Sequence, residues 1–306
     1  MQIARRTVLK AGLAALAVAW PPAWARRALG AAPLTRPIPS TGERVPVIGL
    51  GSWITFNVGN DPVLRDQCAA VISAFVAAGG RRIDCSPMYA SSQPTIGYGL
   101  GKLGSPPALF SAEKVWIRYG GGGPAQIERS RAYWGVPRFD LVQVHNLLAW
   151  EAHLETLFAM QARGTLRYVG ITTSDGRRHG EIEHVMATQP IDFVQVTYNV
   201  LEREVVARIL PLARARGIAV IANRPFREKR LIRHVERHPL PPWLAGTGAS
   251  TWPQFLLKYI VSHPAVTCAI PATTRVDHVR ENMAAAAGVL PDAALRRRMA
   301  AYVAGL

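Results

Sequence analysis

After a strongly apolar start, stretches of two hydrophobic periods alternate along the chain. β-branched and alternating runs predict strands at VPVIGLGSW (46–53), RRIDCS (81–86), LFSAEKVWIR (109–118), FDLVQVH (139–145), LRYVGIT (166–172), IDFVQVTYN (191–199), IAVIANRPF (218–226) and VTCAIPAT (266–273). Between them, apolar residues at helical spacing predict helices over 62–80, 95–103, 124–133, 150–164, 180–188, 203–217 and 251–264. Glycines stop several of these helices, among them Gly79-Gly80 and Gly164. An irregular Pro- and Gly-rich piece fills 238–250, and helices near 275–287 and 291–303 close the chain.

Eight strands alternating with helices predict an α/β fold. The simplest form is a single-domain (β/α)8 TIM barrel with an additional C-terminal helix. An open doubly wound sheet is the competing arrangement, but no G-x-G-x-x-G opens the first helix. In a barrel the chemistry sits where strands end and loops begin. The residues that qualify are Asp84 after the second strand, Tyr89 in its loop, Lys114 inside the third strand and His145 closing the fourth. Each alone reads as an ordinary capped turn, packed phenol or surface charge; on consecutive strands they converge on one rim.

The four residue types are chemically complementary. A phenol with a pKa near ~10 is a reluctant acid, and a neighbouring ammonium lowers that value. A buried Lys114 needs a counter-charge, which Asp84 provides. His145 can donate a hydrogen bond to a carbonyl oxygen. No H-E-x-x-H or Cys cluster appears, so no metal site is expected.

The first 32 residues carry a different signal. Arg5-Arg6, the apolar run 11–20 and Ala23-Trp24-Ala25 have the layout of a twin-arginine export signal with a short linker. Cleavage is expected after Ala25 or Ala32, leaving residues 33–306 as the barrel and no stable membrane span. The twin-arginine translocation machinery is then a partner and the location periplasmic or otherwise exported. The formal net charge is +16, from 36 Lys and Arg against 20 Asp and Glu. The basic runs have no interleaved aromatics, so a solvated surface is expected rather than nucleic-acid binding. Cys68, Cys85 and Cys268 lack C-x-x-C spacing and read as buried small side chains.

The stretches LGSW (50–53), IDCSPMYASSQPTIG (83–97), EKVW (113–116), DLVQVH (140–145), RYVGITTS (167–174), FVQVTYN (193–199), IANRPF (221–226) and IPATTRVDHVREN (270–282) resemble the aldo/keto reductase family, in family order. The resemblance places the catalytic tetrad on Asp84, Tyr89, Lys114 and His145. It implies a nicotinamide cofactor, NADP(H) in preference to NAD(H), and a small carbonyl or alcohol substrate. Positions matching cofactor contacts are Ser52, Trp53, Thr172, Thr173 and Gln195, then Asn223 and Arg224. The last strand's loop adds Ala272, Thr273, Thr274, Arg275, His278, Glu281 and Asn282. Gln195 is expected to bind the carboxamide, and Trp53, Trp116 and Asn146 to line the substrate pocket.

Several positions depart from the family pattern. Thr172-Thr173 replaces a Ser-Asn pair, Asn223 a stacking aromatic, Ala272 a Lys, His278 an Arg, and Gln93 a Glu. The expected function is NAD(P)H-dependent reduction of an aldehyde or ketone, or the reverse, with Tyr89 as general acid/base. The alternative is an exported barrel that binds a nicotinamide cofactor or a partner protein without sustained turnover.

Overall fold

A computed structural model describes residues 32–104 and 109–306. The export signal expected over residues 1–32 lies, apart from Ala32, outside the described residues. The strands are β1 (Thr35–Pro37), β2 (Arg44–Pro46), β3 (Leu50–Gly51), β4 (Arg82–Asp84) and β5 (Phe110–Val115). They continue with β6 (Phe139–His145), β7 (Leu166–Thr172), β8 (Phe193–Thr197), β9 (Ala219–Asn223) and β10 (Cys268–Ala269). β3 to β10 form one parallel sheet in chain order. The bridges Ile48↔Ala269 and Gly51↔Ala272 bring its two edges together, so the sheet closes into a (β/α)8 barrel.

The larger helices are α1 (Pro62–Ala77), α2 (Ser92–Lys102), α3 (Gly123–Trp134), α4 (Trp150–Ala162) and α5 (His179–Thr188). They are followed by α6 (Ile209–Arg216), α7 (Arg230–Val235), α8 (Trp252–Val261), α9 (Val276–Ala284) and α10 (Ala293–Ala304). Local chemistry sets their ends. Asp61 accepts from the Leu64 N–H at 3.0 Å before Pro62 opens α1, and Gly135 and Gly217 close α3 and α6 in the left-handed region. Gly97 lets α2 meet α3, since a Cβ there would lie 1.9 Å from the Tyr133 carbonyl oxygen.

The structure divides the predicted first strand. Residues 44–46 pair antiparallel with 35–37 in a hairpin, while Leu50–Gly51 forms the barrel strand beside β4 and Ile48 bridges to Ala269. Gly49 between them runs close to its neighbours, because a Cβ would meet Ile270 Cγ2 at 3.1 Å and the Arg82 carbonyl at 3.2 Å. The basic run 227–233 contributes to a short helix, α7, and Pro242–Thr247 forms a 3-10 turn within the irregular piece.

Strand alternation sorts two cores. Ile83, Val142, Val144, Val169, Ile171 and Val194 pack outward against the helices. Phe110, Leu141, Tyr168, Phe193, Ile221 and Cys268 fill the barrel interior, joined by Ile38 and Val45 from the hairpin. Arg82 lies in this interior, fully buried, with its guanidinium 4.4 Å from the Phe110 ring and 4.8 Å from that of Phe193. Its three side-chain nitrogens have no hydrogen-bond partner among the described residues. The opposite end of the strands carries the site.

Candidate active site

β4 delivers Asp84 to the barrel mouth, and the chain then turns back over it. Ser86 accepts from the Met88 N–H at 3.2 Å and caps the 3-10 turn Pro87–Tyr89. Ala90 follows with φ 49°, which reverses the chain into α2. All nine non-glycine residues with positive φ among those described lie in loops after barrel strands, at 54, 90, 146, 147, 149, 224 and 227–229. Backbone strain is thus confined to the rim that carries the candidate residues.

Lys114 stands two residues beyond Ala112, the register partner of Asp84, and points to the same inner face. Its Nζ is hydrogen-bonded to Asp84 Oδ1 and donates to the Cys85 carbonyl at 2.6 Å. Both side chains are sealed from solvent, Lys114 at 0% and Asp84 at 2% exposure. The other Asp84 oxygen accepts from Gln195 Nε2 at 2.8 Å and Gln143 Nε2 at 3.4 Å. Above this pair the Tyr89 ring centroid lies 5.2 Å from Lys114 Nζ. The Tyr89 and His145 rings meet edge to face at 5.8 Å.

His145 Nδ1 lies 2.7 Å from Ser86 Oγ. That oxygen also accepts from the Met88 N–H, and its hydroxyl proton is free to be donated to Nδ1. When Ser86 donates to Nδ1, the imidazole proton sits on Nε2 as a donor. Burial, with Lys114 nearby, lowers the His145 pKa to about 3, so the ring is neutral at working pH.

Burial opposes the Lys114 charge, but Asp84, Tyr89 and Glu113 hold its pKa above the ordinary lysine value. The phenol of Tyr89 departs from the expected lowering. Its burial outweighs the pull of Lys114 and raises its pKa to about 12. Tyr89 is therefore protonated at neutral pH, ready to donate.

A cavity of about 520 Å³ opens over these residues. Ser52, Trp53, Asp84, Tyr89, His145 and Asn146 line it, together with Thr172, Gln195, Asn223, Arg224, Ala272 and Thr274. Lys114 sits beneath it. Seven expected contacts do not line it: Trp116, Thr173, Thr273, Arg275, His278, Glu281 and Asn282. Trp116 is on the loop after β5, its N–H held by Gln126 Oε1 at 2.7 Å, and it does not line the cavity. Thr173 is buried and its hydroxyl caps the Asp175 N–H at 3.0 Å.

Gln195 lines the cavity and is also hydrogen-bonded within the site. Its NH2 serves Asp84 and its carbonyl accepts from the Thr172 hydroxyl at 3.0 Å, so its primary partners are within the site. Asn223 Oδ1 accepts from the Thr197 hydroxyl at 2.8 Å, leaving its NH2 toward the cavity. Thr273, Arg275, His278, Glu281 and Asn282 lie along the segment that leads from the mouth into α9. There Arg275 and His278 are exposed, and Arg275 Nε pairs with Asp277 Oδ1 at 3.0 Å. Among the described residues no group of three or more His, Cys, Asp or Glu could hold a metal.

The structure adds residues that the sequence reading did not single out. Ser86 orients His145, and Gln143 reaches Asp84. Gln143 was findable, since it lies two residues before His145 on the inward face and opposite Lys114 in register. Glu228 and Lys229 line the cavity from the loop after β9, and Glu228 pairs with Arg224 at 2.6 Å. Nothing in the local pattern signalled that.

A barrel with a buried Lys–Asp pair beneath a tyrosine and a neutral histidine at its mouth defines a class of site equipped for proton transfer. The family model for the aldo/keto reductase family matches residues 47–239, and the chain belongs to that family. It is 26% identical over 217 residues to aldo-keto reductase family 1 member A1 of Pongo abelii. That match covers 61% of this chain and 63% of the relative, so it spans under two thirds of the relative's length. It is 23% identical to the NADH-specific methylglyoxal reductase of Escherichia coli (strain K12), covering 86% of this chain and 97% of that protein. Among solved structures, an aldo/keto reductase from Klebsiella pneumoniae in complex with NADP and acetate shares the fold. Its TM-score is 0.72 at 23% identity, covering 86% of this chain and 93% of that one.

Proposed function

We propose that the protein reduces an aldehyde or ketone to an alcohol, or runs the reverse reaction, with a nicotinamide cofactor. The observation that carries this reading is the Lys114–Asp84 pair buried directly beneath Tyr89 and beside the His145 ring, whose Nδ1 is held by Ser86. His145 Nε2–H holds a carbonyl oxygen in the cavity. Tyr89 gives that oxygen its proton as negative charge develops there, because an alkoxide is more basic than a phenolate. Lys114 stabilises the phenolate that remains, and Asp84 keeps Lys114 charged and in place. A bound nicotinamide cofactor supplies the hydride.

The residues at the mouth fit such a cofactor. Asn223 and Asn146 offer amide groups at the inner end, and Arg224 and Thr274 offer donors further out. NADP(H) is the proposed form. Arg275 is an exposed cation on the loop that matches the 2′-phosphate region, and the Klebsiella pneumoniae structure holds NADP. The Escherichia coli relative, named as NADH-specific, makes NADH the comparison to run. Export by the twin-arginine machinery is proposed from Arg5-Arg6 and the apolar run behind them. Unchanged export of an Arg5→Lys, Arg6→Lys variant removes that reading.

The test is fluorescence titration with NADPH and NADH, followed by a panel of aldehydes and ketones. Tyr89→Phe should retain cofactor binding and lose turnover by about 10²- to 10⁴-fold, the usual contribution of a general acid. Tight cofactor binding with no oxidation by any carbonyl supports a binding role without turnover. No binding of either dinucleotide overturns the proposal.

A further inference from the structure

Directly behind Lys114, on the outward face of β5, lies Glu113, a carboxylate at 0% exposure. It faces the helices, where a strand residue in a barrel is ordinarily apolar. Its oxygens are fully engaged. Oε1 accepts from the Lys114 backbone N–H at 2.9 Å. Oε2 accepts from Gln93 Nε2 and from Trp134 Nε1, each at 2.9 Å. Gln93 Nε2 also reaches Ser130 Oγ at 2.7 Å.

These partners come from three elements. Gln93 lies on α2, four residues after Tyr89, and Ser130 and Trp134 lie on α3. Gln93 is also a position where a Glu is common in the family pattern. In this chain the strand supplies a carboxylate and the helix a carboxamide, and the charge adjoins Lys114. We propose that Glu113 is a positioning residue for the acid/base group. It ties the strand bearing Lys114 to the helix behind Tyr89, and its charge sets how readily Tyr89 gives up its proton.

Burial holds the Glu113 pKa up at about 7, against the hydrogen bonds from Gln93, Lys114 and Trp134. The titratable groups facing it are Lys114 on its own strand and Cys85 and Tyr89 from the adjoining strand and turn. α2 and α3 meet it only with the neutral Gln93 and Trp134. An ionised Glu113 raises the Tyr89 pKa, opposing Lys114; a protonated one does not. Carbonyl reduction should therefore be faster on the acid side of neutrality than on the alkaline side.

The inference rests on Tyr89 being the proton donor, so two readouts are needed. In steady-state reduction, the wild-type kcat profile should show an inflection near neutrality, about two- to fivefold in height. Glu113→Gln should remain on the acid-side plateau throughout, with KM and cofactor affinity unchanged. The transposed variant Gln93→Glu, Glu113→Gln returns the carboxylate to the pair and should restore the inflection. It also guards against a single variant that folds poorly. An inflection that persists in Glu113→Gln, or variants that change only melting temperature, overturn the proposal. If no carbonyl is turned over, the functional reading has failed instead. Infrared spectroscopy then still decides: a carboxylic C=O band should disappear as pH rises through neutrality and be absent from Glu113→Gln. Its absence from the wild type also overturns the proposal.

Discussion

Replacing Lys114 by Met tests whether the buried ion pair holds the site together. Lys114 and Asp84 are exposed by 0% and 2%, so neither charge has solvent to fall back on. Without the ammonium, Asp84 keeps one good donor, Gln195 at 2.8 Å, and a long one, Gln143 at 3.4 Å. Stranding one partner of a buried pair costs about 3–5 kcal/mol. That is a large share of a total stability of roughly 5–15 kcal/mol. At about 2–4 °C per kcal/mol for a domain somewhat smaller than this one, Lys114→Met should melt roughly 6–20 °C lower.

Asp84→Asn should cost less, because Lys114 retains the Cys85 carbonyl at 2.6 Å and can accommodate by releasing its proton. The double variant should be more stable than the two single losses added together, by about 1–3 kcal/mol. Circular dichroism melts and urea titrations of the four proteins measure this cycle. A Lys114→Met protein melting within about 2 °C of wild type, or single effects that simply add, refutes the reasoning.

His145 is kept neutral by burial, with a folded pKa of about 3 against 6.5 when free. Above pH 6.5 neither state takes up that proton and the contribution is complete. As pH falls from there toward 3 the unfolded chain protonates first, and stability is lost at up to ~1.4 kcal/mol per pH unit. Melts across this range should show a shallower acid slope in His145→Gln; an unchanged slope contradicts the burial argument. Gly97→Ala should destabilise by about 2 kcal/mol or more, since its Cβ would meet the Tyr133 carbonyl at 1.9 Å. In the same helix, Gly101→Ala meets nothing within 4 Å and should gain up to ~1 kcal/mol, so equal urea midpoints for the two refute the packing assignment. Asp277→Asn releases Arg275 from its ion pair and should tighten NADPH relative to NADH by about two- to fivefold in fluorescence titration. An unchanged ratio removes Arg275 from the phosphate reading.

Some of this architecture is written in local pattern. β6 and β7 begin and end where alternation predicts, at 139–145 and 166–172, because each strand faces the barrel interior on one side and helices on the other. The convergence of Asp84, Tyr89, Lys114 and His145 is legible for the same reason: a polar residue at the end of such a strand has only the mouth to face. The hairpin at 35–46 is not legible, since its strands are three residues long, each ends in proline, and they pair outside the barrel. Glu113 was hidden by its neighbour. Two adjacent charges in a strand must face opposite ways, and only the packing of α2 and α3 shows that the outward one is buried.

The internal hydrogen bonds of the expected cofactor contacts were not legible, for a different reason. A side chain can be assigned to a ligand by position, but its commitments within the protein depend on strands distant in sequence. Gln195 is spent on Asp84, 111 residues away, and on Thr172. Asn223 is braced by Thr197, and Arg224 is paired with Glu228 and lies 6.0 Å from the Trp53 ring. Each of these groups must keep or exchange an internal partner when a dinucleotide arrives, so part of any binding energy is offset by contacts already made. The residues proposed for proton transfer carry no such cost, because Lys114 is already held by Asp84 and His145 by Ser86. The barrel therefore combines a pre-organised cluster, the proposed acid/base centre, with a mouth whose polar groups must re-pair to hold a ligand.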